Sequence, residues 1–440
     1  MTNRKLSLGV FILLCVAAFA FACTRSETTQ PRPGGSPAVA TSATPAPSPC
    51  PANASWITAP NPPTEIGGAG VPVGSETNCQ FYQFAYQWFF SMVQPAGTGD
   101  ERKFERLNLF QPNTQNQCAT PKLTGRANLP KALFVRTQKP STNDFEPVLP
   151  QDIQQASGDV ALYDVNGNVV LYSVYYNELE CQATAAGYKP NTMEIKVSWR
   201  VLPKADPNYY TITATVQGYP KNPVILGLVG FHLVINTQFH PEFVWATFEH
   251  VDNVPDCTKP QDPPAAGWSF LTNNAPNNCA TCLQQKGIGG CPQCNFNTPA
   301  PPPLGLTGTP TNVCRVYRDG TDPEPMTGGN NNDTNRFNID TLNTQIAALM
   351  PTSGPMAVFK NYTLIAGLWT LNGQDSTTAN QRGSLEAANT TMETFVQSGP
   401  NKSNCFSCHG YSSTSPLTVS HIVSDLLPVN IAPKRVKQTK

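Results

Sequence analysis

Residues 224–250 read VILGLVGFHLVINTQFHPEFVWATFEH. Two runs rich in β-branched and aromatic residues, 224–235 and 243–250, flank a short turn-forming connection that contains Pro241. Such runs fit a pleated, half-buried surface, and so short a link favours antiparallel pairing. The pattern repeats outward from this pair. Toward the N-terminus lie 209–216 (YYTITATV), 194–202 with alternating Ile195, Val197 and Trp199, and then 169–176 and 160–163. The last two flank Asp164-Val165-Asn166-Gly167-Asn168, where Asn-Gly is the favoured centre of a type I′ hairpin turn. Toward the C-terminus, 359–369 (FKNYTLIAGLW) is a further strand. The expected fold is mainly β, an antiparallel sheet or sandwich with a few helices.

Two stretches depart from strand text. CQFYQFAYQWFFSMV at 79–93 is long enough to be a buried helix. SLEAANTTMETFVQ at 384–397 places Leu385, Ala388, Met392, Phe395 and Val396 on one helical face, and Gly399-Pro400 closes it.

A short loop then leads to Cys405-Phe406-Ser407-Cys408-His409. C-x-x-C-H is the attachment signature of a c-type haem: two thiols add to the two vinyl groups, and the adjacent histidine binds the iron. The bland alternative is a local disulfide beside a chance histidine. Three C-x-x-C pairs occur in the chain, but only this one is followed by His. His409 is therefore the expected proximal ligand. For the sixth iron position the candidates are His421, twelve residues on in LTVSHIVSDLLP, and Met392; His421 is preferred because it belongs to the same local unit. Only 410–440 follow the motif, less than a free-standing class I cytochrome carries there. The small C-terminal helical haem segment must therefore use the body upstream as part of its pocket.

Three other histidines lie in the sheet text. His232 is inside an apolar run, His240 precedes Pro241, and Glu249-His250 closes the next run. In a hairpin, His232 and His250 would share a face with Glu249 or Asp252 nearby, a two-histidine site suited to a metal or a distal haem pocket. A hydrogen-bonded structural histidine at each place is the competing expectation.

The N-terminus sets the compartment. Arg4 and Lys5, an apolar stretch from Leu6 to Phe19, and Ala20-Phe21-Ala22 before Cys23 form an export signal, with Cys23 as the expected lipidation site. The Pro-, Ser- and Gly-rich text from 24 to about 75 reads as a tether. Export agrees with the cysteines. Besides Cys15, Cys23 and the motif pair, ten remain: Cys50, Cys79, Cys118, Cys181, Cys257, Cys279, Cys282, Cys291, Cys294 and Cys314. They permit up to five disulfides of unassigned pairing. Cys279, Cys282, Cys291 and Cys294 form two C-x-x-C pairs in an irregular region, 255–335. Zinc is the alternative there, but the eight-residue spacer is short for a zinc ribbon and an oxidising compartment favours disulfides. With 29 basic and 29 acidic residues there is no electrostatic basis for nucleic-acid binding.

Several landmarks together resemble a group of exported bacterial proteins described as cytochrome c family proteins: FAYQWFFSMV (84–93), GLVGFHLV (227–234), VWATFEHVDNVP (244–255), FKNYTLIAGLW (359–369), and AANTTMETFVQ (387–397) running into NCFSCHG (404–410). The resemblance implies thioether attachment at Cys405 and Cys408 with His409 as ligand. It implies no reaction, and the C-x-x-C pairs at 279–294 depart from the group's text.

The expected organisation is a signal at 1–22, a tether at 23–75, a β-rich body at 76–358 and a haem-attachment segment at 359–440. The expected function is electron transfer by an exported, membrane-anchored monohaem protein with a redox partner protein. A peroxidase-like haem enzyme with an open iron, or a binding lipoprotein without haem, are the alternatives. No G-x-S-x-G, H-E-x-x-H or phosphate-binding loop accompanies the motif.

Overall fold

A computed structural model describes residues 50–111, 114–122, 154–155, 158–214, 216, 219, 223–257, 262–272, 296–299, 305–317, 334–397 and 404–428. The export signal, Cys23 and the two C-x-x-C pairs at 279–294 lie outside the described residues.

Eight strands form one antiparallel sheet: β1 (Asn108–Leu109), β2 (Leu171–Tyr176), β3 (Met193–Leu202), β4 (Thr211–Ala214), β5 (Val224–Ile235), β6 (Val244–His250), β7 (Tyr362–Thr370) and β8 (Gln381–Gly383). Their order is β1-β2-β3-β5-β6-β7-β8, with β4 paired to the start of β5. A separate two-residue ladder joins Gln154–Gln155 to Gly158–Asp159. The helices are α1 (Ser55–Thr58), α2 (Asn78–Val93), α3 (Asn335–Leu349), α4 (Cys405–Cys408) and α5 (Val423–Leu426). Among the described residues no helix is long and apolar enough to cross a membrane. The mainly β expectation holds: among the described residues, one large antiparallel sheet stands beside the two-residue ladder.

The two faces of the sheet have different covers. Alternation along β3, β5 and β6 sends Ile195, Val197, Phe231, Leu233 and Phe248 to one face, where they join the main core. α2 lies on it. Phe89 stacks on Phe248 at 4.2 Å and meets Phe231 edge-on at 5.3 Å, while Phe81 stacks on Trp369 at 4.0 Å. The aromatic run is helical because Thr77 and Gln80 form a reciprocal capping box and its rings have a broad apolar surface to fill. α3 packs beside it, with Tyr82 donating to Asn335 at 2.7 Å and Tyr86 donating to Asn343. Gly367 of β7 lies under α2, where an added Cβ would stand 2.8 Å from the Tyr82 ring.

The second face carries the C-terminal segment. Val234, Trp245 and Leu368 project from it into a smaller apolar cluster with Phe406, Tyr411 and Val419. Residues 384–397, expected as a helix, run instead through successive turns. Their polar side chains explain this: the Asn389 carboxamide oxygen accepts from Thr391 N and Thr391 Oγ1, and Thr394 Oγ1 donates to the Thr390 carbonyl. Asn and Thr thereby give the backbone local alternatives to a helix. The same residues fasten the turn to the sheet. Asn389 Nδ2 donates to Thr247 Oγ1 at 2.8 Å, and the Ser198 and Thr391 hydroxyls meet at 2.6 Å.

Two further expectations are corrected. The loop at Asp164–Asn168 is not a type I′ turn: Gly167 alone there has positive φ (+74°), and Asp164 N donates to the Asn168 carbonyl at 2.9 Å. The Asp164 carboxylate accepts from the backbone N of Asn166 and Asn168, which favours a three-residue loop with glycine in the left-handed position. The strand expected at 160–163 is reduced to an isolated bridge between Tyr163 and Val169. The tether, read to residue 75, gives way earlier: Cys50 is bonded to Cys79, Ile57 and Ile66 are buried, and Trp88 Nε1 donates to the Pro63 carbonyl at 2.9 Å. From residue 50 the chain belongs to the body. Two more disulfides, Cys118–Cys181 and Cys257–Cys314, staple its loops.

Candidate functional site

Cys405 to Cys408 form one helical turn, α4. Ser407 Oγ accepts from Asn404 N at 3.2 Å, and the Asn404 amide donates to Gln381 Oε1 and the Leu385 carbonyl, both at 2.8 Å. Phe406 is driven into the cluster around Trp245, so Cys405 and Cys408 flank a buried anchor. Both thiols are half-buried and unpaired, whereas Cys50, Cys79, Cys118, Cys181, Cys257 and Cys314 are all in disulfides. Burial, followed by the nearby Glu393 charge, pushes both thiols above their usual range.

His409 follows directly and is half-buried. Its Nδ1 lies 2.9 Å from the Val419 carbonyl oxygen. A carbonyl can only accept, so Nδ1 carries the proton and Nε2 keeps its lone pair. Burial first, and then the adjacent His421 ring, hold the imidazole neutral well below its usual pKa. Trp245 packs on one side at 4.5 Å between centroids. The exposed His421 also stacks on His409, at 3.8 Å with 18° between planes, and its Nε2 donates to the Cys408 carbonyl at 2.9 Å. His421 thus lies ring to ring against His409, with its Nε2 engaged. Met392, the other sixth-position candidate, is fully buried in the main core.

No known protein family, curated protein or solved structure matches this chain. Its chemistry therefore has to be read from the residues that the fold assembles.

Beneath the motif, the sheet face presents a polar row. Lys196 on β3 and His232 on β5 are direct cross-strand partners. His232 Nε2 lies 2.9 Å from Glu393 Oε1, and Glu393 Oε2 accepts from Asn389 N at 2.9 Å. Burial alone would raise the Glu393 carboxyl, yet His232 and Lys196 outweigh it and hold it below the usual range. For Lys196, burial lowers the affinity for its proton, against the opposing pull of Glu393 and Cys408. Further along the face, the Glu180 and Glu194 carboxyls abut each other near Tyr188 and Ser420. Burial and then the Glu194 charge raise Glu180 well above normal, and burial raises Glu194 to about 7. Ser420 sits between Val419 and His421, so this carboxyl pair adjoins the strand of chain that positions both motif histidines.

The expected pairing of His232 with His250 does not form. His232 pairs with Thr247, which leaves His250 on the opposite face. There it stacks on Tyr209 at 4.0 Å, donates from Nε2 to the Asn208 carbonyl at 2.8 Å, and accepts from Asp252 N at Nδ1. Burial lowers its pKa to about 4, a structural histidine. Glu249 is buried against Arg315 at 2.8 Å and accepts from Thr390 N at 2.7 Å. His240 is buried with its Nδ1 2.9 Å from Glu242. Among the described residues no group of three or more His, Cys, Asp and Glu converges as a metal site.

Trp245, Lys196, Glu393 and Glu194 went unmarked in the sequence. The one signal was alternation: Glu194, Lys196 and Ser198 are the polar positions between Ile195, Val197 and Trp199, and so mark a second, polar face of β3.

Proposed function

We propose that this protein is an exported monohaem c-type cytochrome-like electron carrier, with haem attached through Cys405 and Cys408 and its iron bound by His409. The observation that carries this is the state of the motif. Its two thiols are left unpaired on a single helical turn, in a chain whose other described cysteines are bonded, and the histidine beside them has Nδ1 committed to Val419 and Nε2 free. A protonated Nδ1 held by a carbonyl is the support that orients a ligating imidazole. When bound, the haem supplies one-electron chemistry at its iron. The chain's own part is to hold the thiols one turn apart, keep His409 neutral and fixed, and cover one side with Trp245 and Phe406. The sequence pattern at 1–22 supports export and lipidation at Cys23, which would anchor the molecule to a membrane outside the cytoplasm, facing a redox partner protein.

The test is covalent loading. Protein matured in a host with a c-type assembly system should carry haem that survives a denaturing gel, and Cys405→Ala with Cys408→Ala should abolish it. A wild-type band without haem would sink the proposal and leave a binding lipoprotein.

One observation favours a second reading, an open iron that binds small molecules. His421 Nε2 is engaged by the Cys408 carbonyl and Met392 is enclosed in the main core. A shift of the reduced spectrum with CO would select this alternative, and an unchanged spectrum the closed carrier.

A further inference from the structure

The sheet face under the motif holds a cation, Lys196, that no carboxylate among the described residues bonds directly, although the Glu393 charge lies near it. Lys196 is half-buried on β3, between Val174 of β2 and His232 of β5 in the ladder. Its ammonium makes no hydrogen bond or ion pair among the described residues, and its marked neighbour is the Tyr172 ring, 5.3 Å from Nζ to centroid. Glu393 is the nearby carboxylate, but both of its oxygens are committed, one to His232 and one to Asn389 N. Val234, two residues beyond the cross-strand partner His232 and on the same face, packs with Trp245 against Phe406, which sets the ammonium beside the motif; its charge accordingly lowers the Cys408, His409 and His421 pKa values.

Charges withdrawn from water are ordinarily paired, and one that is not invites an explanation. An ammonium offers three donors, and a carboxylate is its natural complement. We propose that Lys196 anchors a carboxylate of the group held by the motif, which under the haem assignment above is one of its propionates. The inference rests on that assignment. His232 and Glu393 then have a defined part, since the bonds of Glu393 to His232 and to Asn389 N turn its oxygens to those donors and leave the ammonium's own donors for the ligand. The lysine would orient the haem edge remote from the thioether bonds, a third point of attachment after the sulfurs and His409.

The test uses full-length protein purified without haem, titrated with haemin and with haemin dimethyl ester, in which both carboxylates are blocked. Wild type should bind the diacid at least about tenfold more tightly, as a charge-assisted hydrogen bond implies. Lys196→Gln should abolish the preference and Lys196→Arg should keep it. Equal binding of acid and ester by the wild type, or an undiminished preference in Lys196→Gln, overturns the proposal; the wild-type comparison needs no variant to fold. Covalent loading on a denaturing gel separates the two claims: haem present without an acid preference defeats Lys196 alone. Neither covalent haem nor haemin binding defeats both.

Discussion

The rings of His409 and His421 lie stacked 3.8 Å apart, with 18° between their planes. They are held there by carbonyls on opposite strands of the same loop, Val419 for His409 and Cys408 for His421. His421 therefore serves as the solvent-side wall of His409. Under the haem assignment, His421→Ala should leave covalent attachment and the spin state intact while making the bond from His409 to iron easier for exogenous imidazole to displace. Absorption spectroscopy decides; loss of a low-spin spectrum would make His421 the sixth ligand.

The carboxyl pair sets a pH dependence opposite to that of ordinary acid denaturation. Glu194 has its folded pKa raised from 4.5 to about 7, and Glu180 is raised as well. A raised folded pKa contributes stability that is complete below the unfolded value and lost as pH rises through the folded value. Thermal unfolding of the full chain should show a midpoint that falls between about pH 5 and pH 8, and Glu194→Gln should flatten that slope. An equal slope in the variant would assign the effect elsewhere.

Gly230 marks where the 384–397 turns press on the sheet. A Cβ there would stand 2.5 Å from both Ser198 Oγ and Thr391 Oγ1, and 3.0 Å from Asn389 Oδ1. Gly230→Ala should cost about 1–3 kcal/mol by overpacking. Chemical denaturation measures it, and a cost below about 0.5 kcal/mol would mean the turn is not seated as described.

Arg315 bridges Glu249 and Asp256 beside the Cys257–Cys314 disulfide. Glu249 is fully buried, so removing its cation leaves a charge without compensation. Arg315→Met should cost about 3–5 kcal/mol. The double variant Arg315→Met with Glu249→Gln should recover part of that loss, which a cycle of unfolding curves would show.

The sheet was legible because burial on one face writes alternation into the strands: 194–202, 224–235 and 243–250 emerged nearly at their observed limits. α2 was legible through its length and its rings. α3 was not; NRFNIDTLNTQIAAL is rich in Asn and Thr, and its helicity depends on a Thr334 cap and on docking beside α2. The opposite error at 384–397 has a related cause. A helical spacing of apolar residues was present there, but Asn389, Thr391 and Thr394 turn their side chains onto the backbone. The motif was visible because its chemistry is local in sequence. Lys196, Trp245 and Glu393 reach it only through strand register, and the parity that separates His232 from His250 depends on which residues pair across β5 and β6.

The docking of the motif segment also has an order in time. Phe406 is buried against Trp245, Cys405 packs into the same cluster, and Tyr188 donates to the Leu417 carbonyl across a separation of 229 residues. The sheet side of its seat, Trp245 and Tyr188, is thus synthesised long before it, while Tyr411 and Val419 complete the cluster only after the motif. Under the haem assignment, a catalyst that must enclose both sulfurs would compete with this seating, so bonds to Cys405 and Cys408 would have to form during the interval before α4 settles on the sheet.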